Sequence, residues 1–246
     1  MLTKEEIRQA LKALGVRPGM ALEVHSSLGS LGFVRGGAET VIAALQEAVT
    51  ESGSLFMPAL RLSRELPLSD ADRALGITVK IKVLPPDCEH SAMGAIADAF
   101  RRMPDTFLGE GVFRICGWGR HGREAMRGGL AYVLRHGGYA LLLGVDIYKL
   151  TAMHYVENLL PREIGAVFAP SEAARAAYPA DEWMIEAGAP PVKAWYTIQE
   201  RAIRAGMIRE GRVGDAKAML FNLGDVVGLY ADALQSDPFR LYGMHP

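Results

Sequence analysis

The sequence predicts an α/β or mixed α+β fold in a single domain, and three observations carry that expectation. Strand-like and helix-like segments alternate, glycine-rich turns separate them, and no internal repeat or low-complexity linker divides the 246 residues. With 50% hydrophobic and 22% charged residues the composition is that of a globular protein. A chain of this length buries roughly 70–75% of its unfolded surface. One domain over residues 1–246 is therefore expected.

Each element has a local reason. Thr3 and Glu6 have the spacing of a capping box, Ile7, Ala10, Leu11 and Leu14 recur at helical intervals, and Gly15 is a natural stop. After Arg17-Pro18-Gly19 the run MALEVH reads as a strand ending at His25, followed by a loop with Gly29, Gly32, Gly36 and Gly37. A helix over 37–51 places Val41, Ala44, Leu45 and Ala48 on one face and leads into a strand at SLFMPA. Val79, Ile81 and Val83 alternate with polar neighbours, which predicts a half-buried strand over 78–83, and a helix over about 92–102 follows. The glycine-dense stretch 104–138 reads as irregular, with one strand near 112–116. YALLLGV reads as a strand buried on both faces, and Thr151 as the cap of a helix running to about Leu160, before Pro161. A strand near 192–196 and helices over 198–205 and much of 216–234 complete the expectation.

Charge and cysteine content exclude several functions. Net charge is −1, from 27 basic and 28 acidic residues, and no Lys/Arg run is long enough to track a phosphate backbone, so no nucleic-acid partner is expected. The longest apolar stretch, Tyr139 to Val145, falls far short of the ~20 residues of a spanning helix. The chain opens with Lys4, Glu5 and Glu6 rather than an apolar signal core, so we expect no membrane partner and a cytoplasmic location. Cys88 and Cys116 fit no metal or redox spacing, and Cys88-Glu89-His90 is a poor metal site because consecutive side chains diverge. Lys80, Lys82, Asp181, Glu182 and Glu186 read as solvated charges.

Three clusters could carry chemistry. HSSLGSLGFVRGG, residues 25–37, joins a strand to a helix, and such a loop either aims backbone N–H groups at a phosphate or is a tight turn capped by Ser26 and Ser27. Its spacing is neither that of a Walker loop nor that of a dinucleotide fingerprint, which disfavours a nucleotide triphosphatase or a dehydrogenase. Thr151, His154 and Glu157, three apart, share one helical face and place a hydroxyl, a base and a carboxylate side by side. They are either a catalytic group or part of a surface helix. Arg114 to Gly119 matches the R/Q-x-x-G-x-G/A loop of GCN5-related acetyltransferases, but Gly122, Gly128 and Gly129 interrupt the long helix such a loop should open.

Four phrases, HSSLGSLGFVRGGAETVIAAL, MGAIADAFRRMPD, ALLLGVDIYKLTAMHYVENLLP and GDAKAMLFNLGDVV, occur in an order that resembles the aminoglycoside 3-N-acetyltransferase (antibiotic N-acetyltransferase) family over residues 3–235. The resemblance implies a central mixed β-sheet flanked by helices, not the GCN5-related fold, and acetyl transfer from acetyl coenzyme A to an aminoglycoside, at the 3-amino group of the 2-deoxystreptamine ring. It implies that His25, Ser26, Ser27, Leu28, Ser30, Leu31, Gly32, Phe33 and Val34 line the coenzyme A channel and that His154 is the general base. Glu157 would orient His154, and Thr151 or a loop amide near Ser27 would serve the developing oxyanion. No metal is required. A polycationic acceptor calls for carboxylates, and Asp146 is the first candidate beside Glu157.

The chain departs from the resemblance in two places. Where the family's resistance enzymes carry S-x-H-P-x-x-S, residues 108–122 read LGEGVFRICGWGRHG, and the F-D-P phrase is replaced by Leu84-Pro85-Pro86. Both departures leave open a different amino sugar or metabolite amine as acceptor, or a catalytically silent coenzyme A-binding protein.

Overall fold

In the computed structural model, which describes residues 1–245, nine strands form two sheets. In chain order they are β1 (Ala21–Ser26), β2 (Ser54–Pro58), β3 (Ile77–Lys82), β4 (Phe107–Leu108), β5 (Ile115–Gly119), β6 (Tyr139–Leu143), β7 (Trp183–Ala187), β8 (Arg209–Val213) and β9 (Ala216–Asn222). The main sheet has seven strands in the order β4-β5-β2-β1-β6-β9-β8, while β3 and β7 pair as a separate ribbon. β1 runs parallel to both β2 and β6, and the remaining pairs in the main sheet are antiparallel, so the sheet is mixed as expected.

Side-chain alternation on the central strands divides the core into two layers. Leu22, Val24, Leu55, Met57, Leu141 and Leu143 face one layer, closed by Ile7 and Leu11 of the helix Lys4–Leu14 and by Val41, Ile42 and Leu45 of the helix Gly37–Val49. Phe56, Ala140, Leu142 and Phe221 face the other, closed by Leu130, Met153, Trp195, Ile198, Val226 and Tyr230. The Thr3–Glu6 capping box forms as predicted, and Gly15 ends its helix with φ 112°.

The structure corrects the sequence reading at four places outside the crevice. Residues 216–222 are β9, not helix, because the Ala-Met-Leu-Phe run is buried between β6 and β8 and tertiary pairing overrides propensity. The strand expected near 192–196 lies earlier, as β7, and the helix Ala194–Arg204 takes its place. The strand expected near 112–116 is shifted to Ile115–Gly119. Lys80 is not a free solvated charge. Its ammonium lies 2.5 Å from Oδ2 of Asp72, a fully enclosed carboxylate that also accepts from Ser69 and Tyr178 and is held well below the usual carboxylate range, first by the bond from Lys80. This network ties the ribbon to the short helix Asp70–Ala74. Among the described residues no helix is long and apolar enough to cross a membrane.

Candidate active site

The site begins where two parallel strands end together. Ser26 of β1 stands opposite Leu143 of β6, and the helix that follows β1 packs on one face of the sheet while the segment that follows β6 packs on the other. Adjacent parallel strands whose connections leave on opposite sides open a crevice beyond their carboxyl ends. The 25–37 loop forms one wall. Ser27 N–H donates to Leu143 O (2.9 Å), and Ser30 Oγ donates to Gly144 O (3.2 Å) and Ser27 Oγ (2.9 Å). Gly144 permits this closeness: its φ is 68°, and a Cβ there would stand 2.4 Å from Ser30 Cβ.

The structure sorts the expected channel residues by exposure. Ser26, Ser27, Leu28, Ser30 and Gly32 are half-buried along the crevice, and Phe33 is 75% exposed beyond it. Leu31 and Val34 belong to the core. His25 is buried with its ring turned inward, Nε2 lying 2.7 Å from Glu23 Oε1. The Ser27 and Ser30 amides hold the loop together, Ser30 N–H donating to Ser27 O, so they do not point at a ligand.

Thr151–Leu159 is a 3₁₀ segment rather than the expected α-helix, and Leu150, not Thr151, is its N-cap. With three residues per turn, side chains at i and i+3 eclipse, so the spacing of Thr151, His154 and Glu157 aligns them on one edge. His154 Nδ1 lies 2.6 Å from Glu157 Oε2, and its ring packs edge-on against Trp195 with centroids 4.9 Å apart. Partial burial opposes the imidazolium. The hydrogen bond and charge of Glu157, with the charges of Glu186 and Glu23, outweigh it, and His154 titrates above the ordinary histidine value. Glu186, on β7, is pushed up by burial and by Glu157 and Glu65 while His154 pulls it down. It is half-buried over the site rather than the solvated charge expected.

Asp146 stands near the other wall, but its two oxygens already accept bonds from Tyr148 N–H (3.0 Å) and Tyr196 Oη–H (2.8 Å). Beside it an open cleft of about 790 Å³ is lined by Ser30, Gly144, Gln199, Arg212, Asp215 and Lys217 among others, and His154 is not among its walls. Arg114 lies away from the crevice, buried before β5, where its Nε donates to Ala59 O (3.0 Å), and no long helix follows it. Among the described residues no cluster of His, Cys, Asp and Glu could hold a metal ion. Sequence reasoning missed Glu23, Trp195 and Glu186. A signal existed only for Glu23, a carboxylate set between Leu22 and Val24 in a strand reading as buried.

A switch-point crevice with a histidine–carboxylate pair at its rim is the arrangement of an α/β enzyme that works from its strand-end loops. The chain belongs to the aminoglycoside 3-N-acetyltransferase family, whose sequence pattern matches residues 24–235. It is thus an acyltransferase of that family. It is 29% identical over 274 residues to aminoglycoside N(3)-acetyltransferase III of a Salmonella species, covering 92% of this chain and 89% of the relative. It is 28% identical over 266 residues to the SPbeta prophage-derived aminoglycoside N(3')-acetyltransferase-like protein YokD of Bacillus subtilis, with the same two coverages of 92% and 89%. Among solved structures, AAC-IIIb in its binary complex with CoASH shares the fold, with TM-score 0.70 and 21% identity over 99% of each chain.

Proposed function

We propose that this chain moves the acetyl group of acetyl coenzyme A to the 3-amino group of an aminoglycoside's 2-deoxystreptamine ring, with His154 as general base. The observation that carries the reading is the 2.6 Å pairing of His154 Nδ1 with Glu157 at the crevice rim. With Glu157 accepting from Nδ1–H, the lone pair lies on Nε2, which has no hydrogen-bond partner among the described residues. That nitrogen accepts the proton the acceptor's ammonium must lose before its amine can attack, a contribution of typically about 10² to 10⁴ in rate. Glu157 holds the ring and stabilises the cation that forms. Thr151 Oγ1, on the same edge, serves the developing oxyanion, since the Ser27 amide is committed to Leu143.

The residues present fit coenzyme A. The cleft of about 790 Å³ beside Ser30 is large enough for amide-bearing pantetheine and carries the cations Arg212 and Lys217 for phosphates, set among the carboxylates Asp146, Glu210 and Asp215, so only the part of the lining at those two cations favours an anion. When bound, the coenzyme supplies an acetyl group activated as a thioester. Ser26, Ser27, Leu28, Ser30, Gly32 and Phe33 would hold it along the 25–37 loop, with Leu31 and Val34 anchoring that loop in the core and His25 fixing its base. Carboxylates for a polycationic acceptor come from Glu157 and Glu186, with Asp146, held in place by Tyr148 N–H and Tyr196 Oη–H, as a third. The altered 108–122 stretch favours as second reading the same transfer to a different amine. Thiol release from acetyl coenzyme A across a panel of aminoglycosides and simple amines, with a no-acceptor control, tests the reading. Release that requires an aminoglycoside supports it, and release without any acceptor would make the protein a hydrolase.

A further inference from the structure

The 3₁₀ segment that carries His154 has no side-chain cap of its own: Leu150 precedes it and offers none. The first amides of any helix lack partners within the helix and must find them elsewhere. Here they find them on β1. Ala152 N–H donates to Glu23 Oε1 (3.2 Å), and the Thr151 amide nitrogen stands 3.3 Å from His25 Nε2, across 129 and 126 residues of sequence. Glu23 and His25, two apart on one strand, share the same sheet face and stand 2.7 Å from each other.

Their surroundings make the choice of residues costly. Glu23 is fully buried, and its register partners are Phe56 on β2 and Ala140 on β6. His25 is paired with Leu142. Glu23 Oε2, also buried, has no hydrogen-bond partner among the described residues. A carboxylate with one orphaned oxygen in an apolar layer destabilises the fold relative to an apolar side chain of the same size. Adjacent Leu22 and Val24, facing the other layer, show what this strand carries where only packing is at stake.

We infer that Glu23, backed by His25, is a positioning residue for the general base: it caps the 3₁₀ segment from beneath and places a buried carboxylate behind His154. The cap fixes where His154 and Thr151 stand in the crevice, and negative charge at a helix N-terminus is favoured by the helix dipole. The charged groups acting on His154 come from three elements, Glu157 on its own segment, Glu186 on β7 and Glu23 on β1, the last beside His25; Trp195 packs edge-on against its ring, and the rest of the imidazole is open to solvent. Glu23 differs from the other two carboxylates in being sealed from solvent, so no bound acceptor can compete for it.

Glu23→Gln keeps the length and an acceptor for the Ala152 amide but removes the charge. The inference rests on the reading of His154 as base for its kinetic arm alone, so it is tested in three arms. Titration of His154 by NMR in the Gln variant should show its pKa lowered by about 0.5 to 1 unit. The acid limb of kcat/KM should move down with it, kcat should fall about tenfold, and KM for acetyl coenzyme A should stay within about threefold. In the wild-type protein, hydrogen exchange should find the Thr151 and Ala152 amides protected against exchange, a measurement that needs no variant to fold. An unshifted His154 titration with kcat within twofold of wild type, or free exchange of both amides, would overturn the inference. Wild-type turnover by His154→Ala would overturn the base assignment instead, leaving the titration and exchange arms to decide the role of Glu23.

Discussion

The strand-end crevice and the β3–β7 ribbon contribute to one site from opposite kinds of structure. The crevice is built from segments adjacent in the sheet and anchored in the two core layers, with β1 and β6 in register from Leu22–Tyr139 to Ser26–Leu143. The ribbon joins strands whose partners lie about a hundred residues apart, Ile77 with Ala187 and Lys82 with Trp183, and it is tied at its base to the fully enclosed Asp72 of the helix Asp70–Ala74. Under the proposed function, coenzyme binding and proton removal would fall to the part anchored in the two core layers, and acceptor contact, through Glu186, to the part with the smaller core. The difference suggests that donor chemistry is set by the sheet and acceptor choice by the ribbon.

Substitutions can break this division, beginning with the largest effect. Phe56→Ala, at a fully buried position of β2, should cost about 3–5 kcal/mol in urea unfolding, because it opens a cavity in the layer beneath Glu23. Glu157→Gln should lower kcat about 10- to 100-fold. It should also move the acid limb of the pH–rate profile to lower pH. The sign follows from the base being active when neutral: activity is lost as pH falls through the His154 pKa, and removing the carboxylate that raises that pKa moves the loss downward. Glu186→Gln should raise KM for an aminoglycoside about fivefold while leaving KM for acetyl coenzyme A unchanged, which separates ribbon from crevice in one comparison. Ile81→Ala, at a half-buried position on β3, should cost only about 1 kcal/mol. A loss as large as that of Phe56→Ala would show that the ribbon is as tightly built as the sheet.

Legibility in the sequence follows the same division. The capping box, β1, the 25–37 loop and β6 rest on local signals, namely cap spacing, glycine turns and an apolar run, and each stands where those signals put it. β9 reads as helix in the sequence because a strand buried on both faces shows no alternation, although Gly214-Asp215 between two strand-like runs is a hairpin signal. The 151–159 segment was assigned the wrong helix type, yet a spacing of three aligns side chains better in the 3₁₀ geometry it adopts. Glu186 and Trp195 could not be read locally, since what brings them to His154 is ribbon pairing and helix docking across distant sequence. Lys80 shows the limit from the other side: a lysine on a half-exposed strand reads as solvated until its enclosed carboxylate partner is placed.

In the proposed mechanism proton removal depends on His154, and coenzyme binding does not. The direct measurement compares wild type with His154→Ala, recording aminoglycoside-dependent thiol release alongside coenzyme A affinity by calorimetry. The account predicts turnover reduced by about 10² to 10⁴ with affinity within a few-fold. Near wild-type turnover in the variant, or a loss explained by failed coenzyme binding, would contradict it.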